Sequence, residues 1–182
     1  LNASQIGSSM ALDHKTILSH CDFLEGAFLI RRLQPYSTNI KKRLVKTPRI
    51  LWRDSGLMHA LLGVTDLHHL YRQPWLGHSW QGFVIEQTLN TLSAADLRAT
   101  PYFFRTSDGY ELDLVLDWGT DRWAIEIKLT SNPSSAMIDR LNTTADLIDA
   151  SRRILVCRIA QRIETEKLLV ARLPVWLKNL VQ

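Results

Sequence analysis

A chain of 182 residues with 46% apolar side chains can bury one large core or two small ones. Its formal charge of +4 suits an acidic partner such as nucleic acid without identifying one, and its two cysteines, with no CxxC, exclude a disulfide framework and a zinc ribbon. No apolar run approaches the ~20 residues that span a bilayer and no secretion signal precedes the first helix, so the reading is a cytoplasmic protein with reduced thiols and no membrane partner.

In chain order, Ile6 and Met10 mark one short helix face, and Ile17, Cys21 and Leu24 a second, with Asp13 as its N-cap and Gly26 as its stop. The pattern is already helical at Leu1, which is not a methionine, so the text reads as a fragment of a longer protein. AFLIRRL reads as a strand, NIKKRLVKTPR as a basic loop and RILWR as a returning strand, which together describe a winged helix-turn-helix. Asp54 to Gly63 is a capped short helix, and a His-containing connector to about Pro74 separates residues 1–74 from 75–182. The second part opens with WLGHSWQGFVIEQTLNTL, a helix with Trp80, Phe83, Val84 and Leu89 toward a sheet. Strands follow in PYFFRT, YELDLVLD and RWAIEIKLT, then a crossover helix with Met137, Leu141 and Ile148 inward, the strand RRILVCRI and a closing helix in LPVWLKNLVQ. A helix between two strands implies a parallel pair, so the fold class is α/β (α+β) with a mixed sheet flanked by helices.

Residues 111–130, ELDLVLDWGTDRWAIEIKLT, hold the chemistry. With Gly119-Thr120 as a two-residue loop, Trp118 faces Asp121, Asp113 faces Glu126 and Glu111 faces Lys128. Two carboxylates with Cβ atoms roughly 4.5–5.5 Å apart repel, so neutralising one should stabilise the fold unless a cation lies between them. Leu112, Leu114 and Leu116 are expected on the opposite face, against Trp123, Ile125, Ile127 and Leu129. Carboxylates on adjacent strands suit a hard cation such as Mg²⁺ or Mn²⁺, and a nearby lysine suits a phosphate. The plainer reading is a solvated sheet face with Glu111 and Lys128 as a cross-strand ion pair.

Asp113 with Glu126-Ile-Lys128 resembles the D-x(n)-E-x-K pattern of the PD-(D/E)xK nucleases, the restriction-endonuclease-like fold. RLVKTPRILWRDSGLMHALLGV, GHSWQGFVIEQTL and PYFFRTSDGYELDLVLDWGTDRWAIEIK together resemble the C-terminal region of predicted prokaryotic AAA+ ATPases, the domain of unknown function 4143 family. The resemblance implies a winged helix joined to a nuclease-like domain, with the ATPase in a missing N-terminal part. No G-x(4)-G-K-[ST] is present, so ATP would bind only through that part. Asp113 and Glu126 are then metal ligands, Lys128 stabilises phosphate charge, and an acid from the opening helix completes the site. Gln81 stands where many relatives carry that acid. Glu86 is the remaining acid on the helix, about 140° around from Gln81, and is assigned as catalytic and metal ligand.

Lys41, Lys42, Arg43, Lys46 and Arg49 form a basic wing, and Lys15, His14, Ser19 and His20 line the second helix; DNA is the expected partner through its phosphates, with a protein contact inside an ATPase assembly, or basic residues kept for solubility alone, as the alternatives. The alternative is a degenerate nuclease fold kept as a binding or oligomerisation module for its own ATPase. His68, His69 and His78 read as surface or packing residues. Trp75 and Trp80 read as packing at the seam between the two parts, with base stacking as the alternative.

Overall fold

The computed structural model describes residues 3–37 and 44–181, the first three of them by backbone alone. Helices α1 (Ala3–Met10) and α2 (His14–Gly26) open the chain. Asp13 caps α2 as expected, accepting the Lys15 and Thr16 amides at 2.8 and 3.0 Å and so satisfying two donors that the first turn leaves free. Ile17 and Cys21, one turn apart, bury against Ile30 in a small core with Trp52 at its border. Cys157 is buried in a different core, and both thiols are free.

Strands β1 (Ile30–Pro35) and β2 (Arg49–Trp52) pair antiparallel, Ile30 opposite Trp52 and Leu33 opposite Arg49. The hairpin is not a free-standing wing. The end of β1 runs parallel to β3 (Thr100–Arg105), Gln34 beside Tyr102 and Pro35 beside Phe103, so strand edges that would otherwise stay unpaired continue the sheet. Lys41, Lys42 and Arg43 lie outside the described residues.

The sheet has eight strands among the described residues, adding β4 (Glu111–Asp117), β5 (Arg122–Ile127), β6 (Arg152–Val156), β7 (Ile163–Glu164) and β8 (Leu168–Ala171) in the order β2-β1-β3-β4-β5-β6-β8-β7. Short helices α3 (Ser55–Leu61) and α4 (Leu67–Tyr71) precede the long α5 (Leu76–Ala94), and α6 (Ser135–Asp146) joins β5 to a parallel β6. The segment expected as a plain connector thus holds α4, started by Asp66, whose carboxylate accepts the His69 amide at 2.8 Å. Helix α7 (Leu173–Leu180) closes the chain. One sheet face packs under α5 and α7, where Trp176 is fully buried and donates its indole N–H to Thr88 at 3.0 Å; the other packs under α6 through Leu141 and Ala145. Val84 and Leu89 face the core as expected, joined by Ile85, whereas Phe83 stays 36% exposed.

The β4–β5 register is the expected one, from Asp117 opposite Arg122 to Leu114 opposite Ile125, closed by a Trp118 N–H to Asp121 carbonyl bond of 2.9 Å. Gly119 has φ +90°, the left-handed region that favours glycine at the first loop position. On its other side β4 departs from simple alternation. Tyr102 pairs with Val115 but Phe104 with Leu112, a shift in register that gives β4 an extra residue. Leu114 and Leu116 therefore face α5 and α7, while Leu112 joins Val115 under α6 and not Leu114 as strict alternation requires.

Candidate active-site cleft

The shift falls at Asp113, which sits 2% exposed between the two layers. The β4–β5 ladder stops at Leu114 and Ile125, and the next strand amide is taken by a side chain: Asp113 Oδ2 accepts the Ile127 N–H at 2.9 Å. The same oxygen accepts from Gln81 Nε2 of α5 at 3.3 Å, and Oδ1 accepts from Arg49 Nη1 at 3.2 Å. Burial pushes the Asp113 carboxyl up, against the pull of the Ile127 amide and the Arg49 guanidinium.

Glu126, the next acid, is served differently. Its Oε1 meets Lys128 Nζ at 2.5 Å, while Oε2 is buried with no hydrogen-bond partner among the described residues. Burial and then the Asp113 charge push its carboxyl up to about 7, outweighing Lys128. Burial alone would lower the Lys128 ammonium; Glu126, Asp113 and Glu111 more than offset it and hold it above its usual value. The expected pairing of Glu111 with Lys128 is replaced, since Lys128 turns to Glu126 and Glu111 takes Arg49 Nη2 and, at 3.6 Å, Arg105.

These groups line a cleft of about 610 Å³ between α5 and α6, with Arg49, Arg105, Lys128 and Arg140 as cations, Glu111, Asp113 and Glu126 as acids, and His78 and Gln81 on the α5 wall. Asp113, Glu126 and Lys128 are brought together as the pattern required. Glu86 is not: it lies 2% exposed, its two oxygens held by Arg31 at 2.5 and 3.1 Å, with Arg53 at 3.4 Å from one of them. The 140° offset on α5 decides this, and the helix face that looks into the cleft carries Gln81. Arg49, expected on the wing, enters the acid cluster and rests over the Phe103 ring at 5.3 Å. Lys15 and Lys46 are exposed, as are His14, Ser19 and His20. Arg49 and Arg140 were the residues hardest to find by pattern, because their place in the cleft comes from pairing β1 with β3 and from docking α6.

Among the described residues no group of three or more His, Cys, Asp or Glu side chains is arranged to hold a metal ion. A two-carboxylate set still fits Mg²⁺, which keeps several waters and is commonly held by one or two protein carboxylates plus substrate phosphate. The partnerless Glu126 oxygen is where such an ion has a ligand to gain, and Arg49 already occupies Asp113 Oδ1.

A family model described as a domain of unknown function, DUF4143, matches residues 76–176. A second, also described as a domain of unknown function, DUF8612, matches residues 1–68. Uncharacterized proteins of Mycobacterium bovis and Mycobacterium tuberculosis are each similar to this chain at 38% identity over 144 residues, 76% of the chain. The chain spans 32% of the length of these relatives. No helix among the described residues is long and apolar enough to cross a membrane.

Proposed function

The chain belongs to the DUF4143 family, and from that premise and the geometry of the cleft we propose that it is a metal-dependent, nuclease-like DNA-processing module, acting as the C-terminal part of an AAA+ ATPase. The observation that carries the reading is Glu126 Oε2, a buried carboxylate oxygen without a partner among the described residues, on a side chain whose pKa is raised by burial and by Asp113 and whose other oxygen holds Lys128. A group buried at such cost is retained where a ligand completes it. Asp113 and Glu126 hold Mg²⁺ or Mn²⁺, which when bound polarises a phosphodiester and lowers the pKa of water. Lys128 neutralises charge that develops on the phosphate. Arg105 and Arg140, on the cleft walls, suit the flanking phosphates, and Lys15 and Lys46 extend the basic surface along residues 1–74.

Two contacts favour a second reading, a degenerate nuclease fold kept for binding or oligomerisation: the Gln81 amide on Asp113 Oδ2 and the Arg49 guanidinium on Oδ1. Thermal denaturation across a Mn²⁺ titration separates the two. For the catalytic reading the melting temperature rises with the logarithm of Mn²⁺ concentration above the dissociation constant, since a ligand of the folded state stabilises by mass action. Glu126→Gln loses the shift, whereas Lys128→Ala keeps it but loses cleavage of linear, nicked or branched DNA. No shift and no cleavage in the unsubstituted protein replaces the catalytic reading with the binding module.

A further inference from the structure

The acid cleft has an apolar neighbour. A second cavity of about 230 Å³ lies between β2, α3 and α5, and it shares Arg49, His78 and Gln81 with the cleft. Trp52 and Trp75 contribute half-buried aromatic walls, Ile50 and Met58 line it with them, and Ser55 and Ser79 are its hydroxyl-bearing residues. Trp75 is held in place from behind: His59 packs against it with ring centroids 5.5 Å apart and bonds through Nε2 to the Ser79 hydroxyl at 2.7 Å. A cavity of roughly 150 Å³ accommodates benzene, so this one has room for a larger planar ring. Gly82 of α5 also lines it, and a Cβ built there meets nothing within 4 Å.

Resting on the reading that the cleft takes a nucleic-acid phosphate, we propose that this apolar cavity receives the unstacked base of the nucleotide whose phosphate lies in the cleft. The two sites meet at Arg49, His78 and Gln81, so an apolar aromatic slot opens beside a polar cleft that holds four cations and three acids, the separation of chemistry that one nucleotide with its bound cation has. A base within a duplex is stacked on both faces and cannot enter a side pocket without leaving the helix. The substrate class is therefore single-stranded DNA or a junction with unpaired nucleotides. The slot has few fixed polar groups, and stacking tolerates any base, so the preference is for an unpaired base rather than for a sequence.

The test compares a fluorescein-labelled dodecamer of thymidylate with the same backbone lacking its bases, by anisotropy with Ca²⁺ present and the label checked on a gel for intact length. One stacked base is worth about tenfold in affinity, so the dodecamer should bind the unsubstituted protein about tenfold more tightly than the abasic chain. Gly82→Leu fills the slot from a helix interior, where replacing glycine favours folding. It should bring the dodecamer down to the abasic affinity while leaving the abasic chain unchanged. Gly77→Leu, on the same helix and outside both cavities, should keep the full ratio. Equal binding of the two probes by the unsubstituted protein, or a ratio that survives Gly82→Leu, overturns the base slot and leaves the phosphate cleft standing. Binding of neither probe overturns both.

Discussion

Glu86 and Glu126 each carry a carboxylate into the interior, and their surroundings differ in what is left over. Glu86 meets two guanidinium groups that occupy both of its oxygens. Glu126 meets one ammonium and a second carboxylate, with one oxygen unpaired among the described residues. The first is a closed arrangement that joins α5 to the β1–β2 hairpin; the second pairs only one of its two oxygens among the described residues. A buried acid on a helix is thus no guide to chemistry until its partners are counted, since a saturated carboxylate acts as a joint between elements.

The contrast is broken most strongly at Glu86. Glu86→Ala leaves Arg31 and Arg53 without their shared anion, and because both arginines remain partly solvated the expected loss is about 3 kcal/mol, at the lower end for a broken buried pair. Urea denaturation measures it, and a change within a few tenths of a kcal/mol would show that Glu86 is no joint.

Glu126 should behave in the opposite sense. The unfolded carboxyl loses its proton near 4.5 and the folded one near about 7, so between those values the folded state binds more protons and stability falls as pH rises. The fall is on the order of 3 kcal/mol across that window, and Glu126→Gln should flatten it while matching or exceeding the unsubstituted protein at pH 8. Denaturation midpoints from pH 4 to 8 decide this. Asp113→Asn is the less clean test of that relief, since burial also raises the Asp113 carboxyl but its oxygens answer three donors that an amide would leave poorly matched.

Arg49 sharpens the contrast from the metal side. Its guanidinium occupies Asp113 Oδ1, so on the proposed metal reading Arg49→Ala should tighten Mn²⁺ binding about tenfold, the worth of one charge-assisted hydrogen bond, read by calorimetric titration. An unchanged affinity would place the ion away from Asp113. The smallest effect lies at two exposed lysines: on the proposed DNA reading, Lys15→Ala or Lys46→Ala should each lower the slope of log affinity for DNA against log salt by about 1, with no change in sequence preference.

Much of the cleft was legible because two-residue alternation and the Gly119-Thr120 loop set the β4–β5 register without reference to the rest of the chain. Asp13 and Asp54 were equally readable as caps, each bonding amides two or three residues away. Strand β8 was not, because Leu168–Ala171 is a short continuous apolar run of the kind that parallel pairing buries on both faces, and periodicity cannot separate it from a helix start. The helix acid was misread because Gln81 and Glu86 occupy different faces of α5, and only docking of that helix selects one of them.

Local physics in the sequence by itself therefore determined the caps, the loop, the mixed helix and strand order and the convergence of Asp113, Glu126 and Lys128, since each depends on residues close in the chain or on one hairpin register. Tertiary structure alone decided that the β1–β2 hairpin extends the sheet, that Arg49 enters the acid cluster, that Leu112 changes face and that Glu86 is tied to Arg31. Three of those outcomes depend on residues far apart in the chain finding each other, 55 positions for Arg31–Glu86, 64 for Arg49–Asp113 and more for Gln34 beside Tyr102, and no local pattern encodes which distant edge or charge will be nearest once the layers close; the fourth, the Leu112 shift, is set where β3 and β4 lose simple alternation.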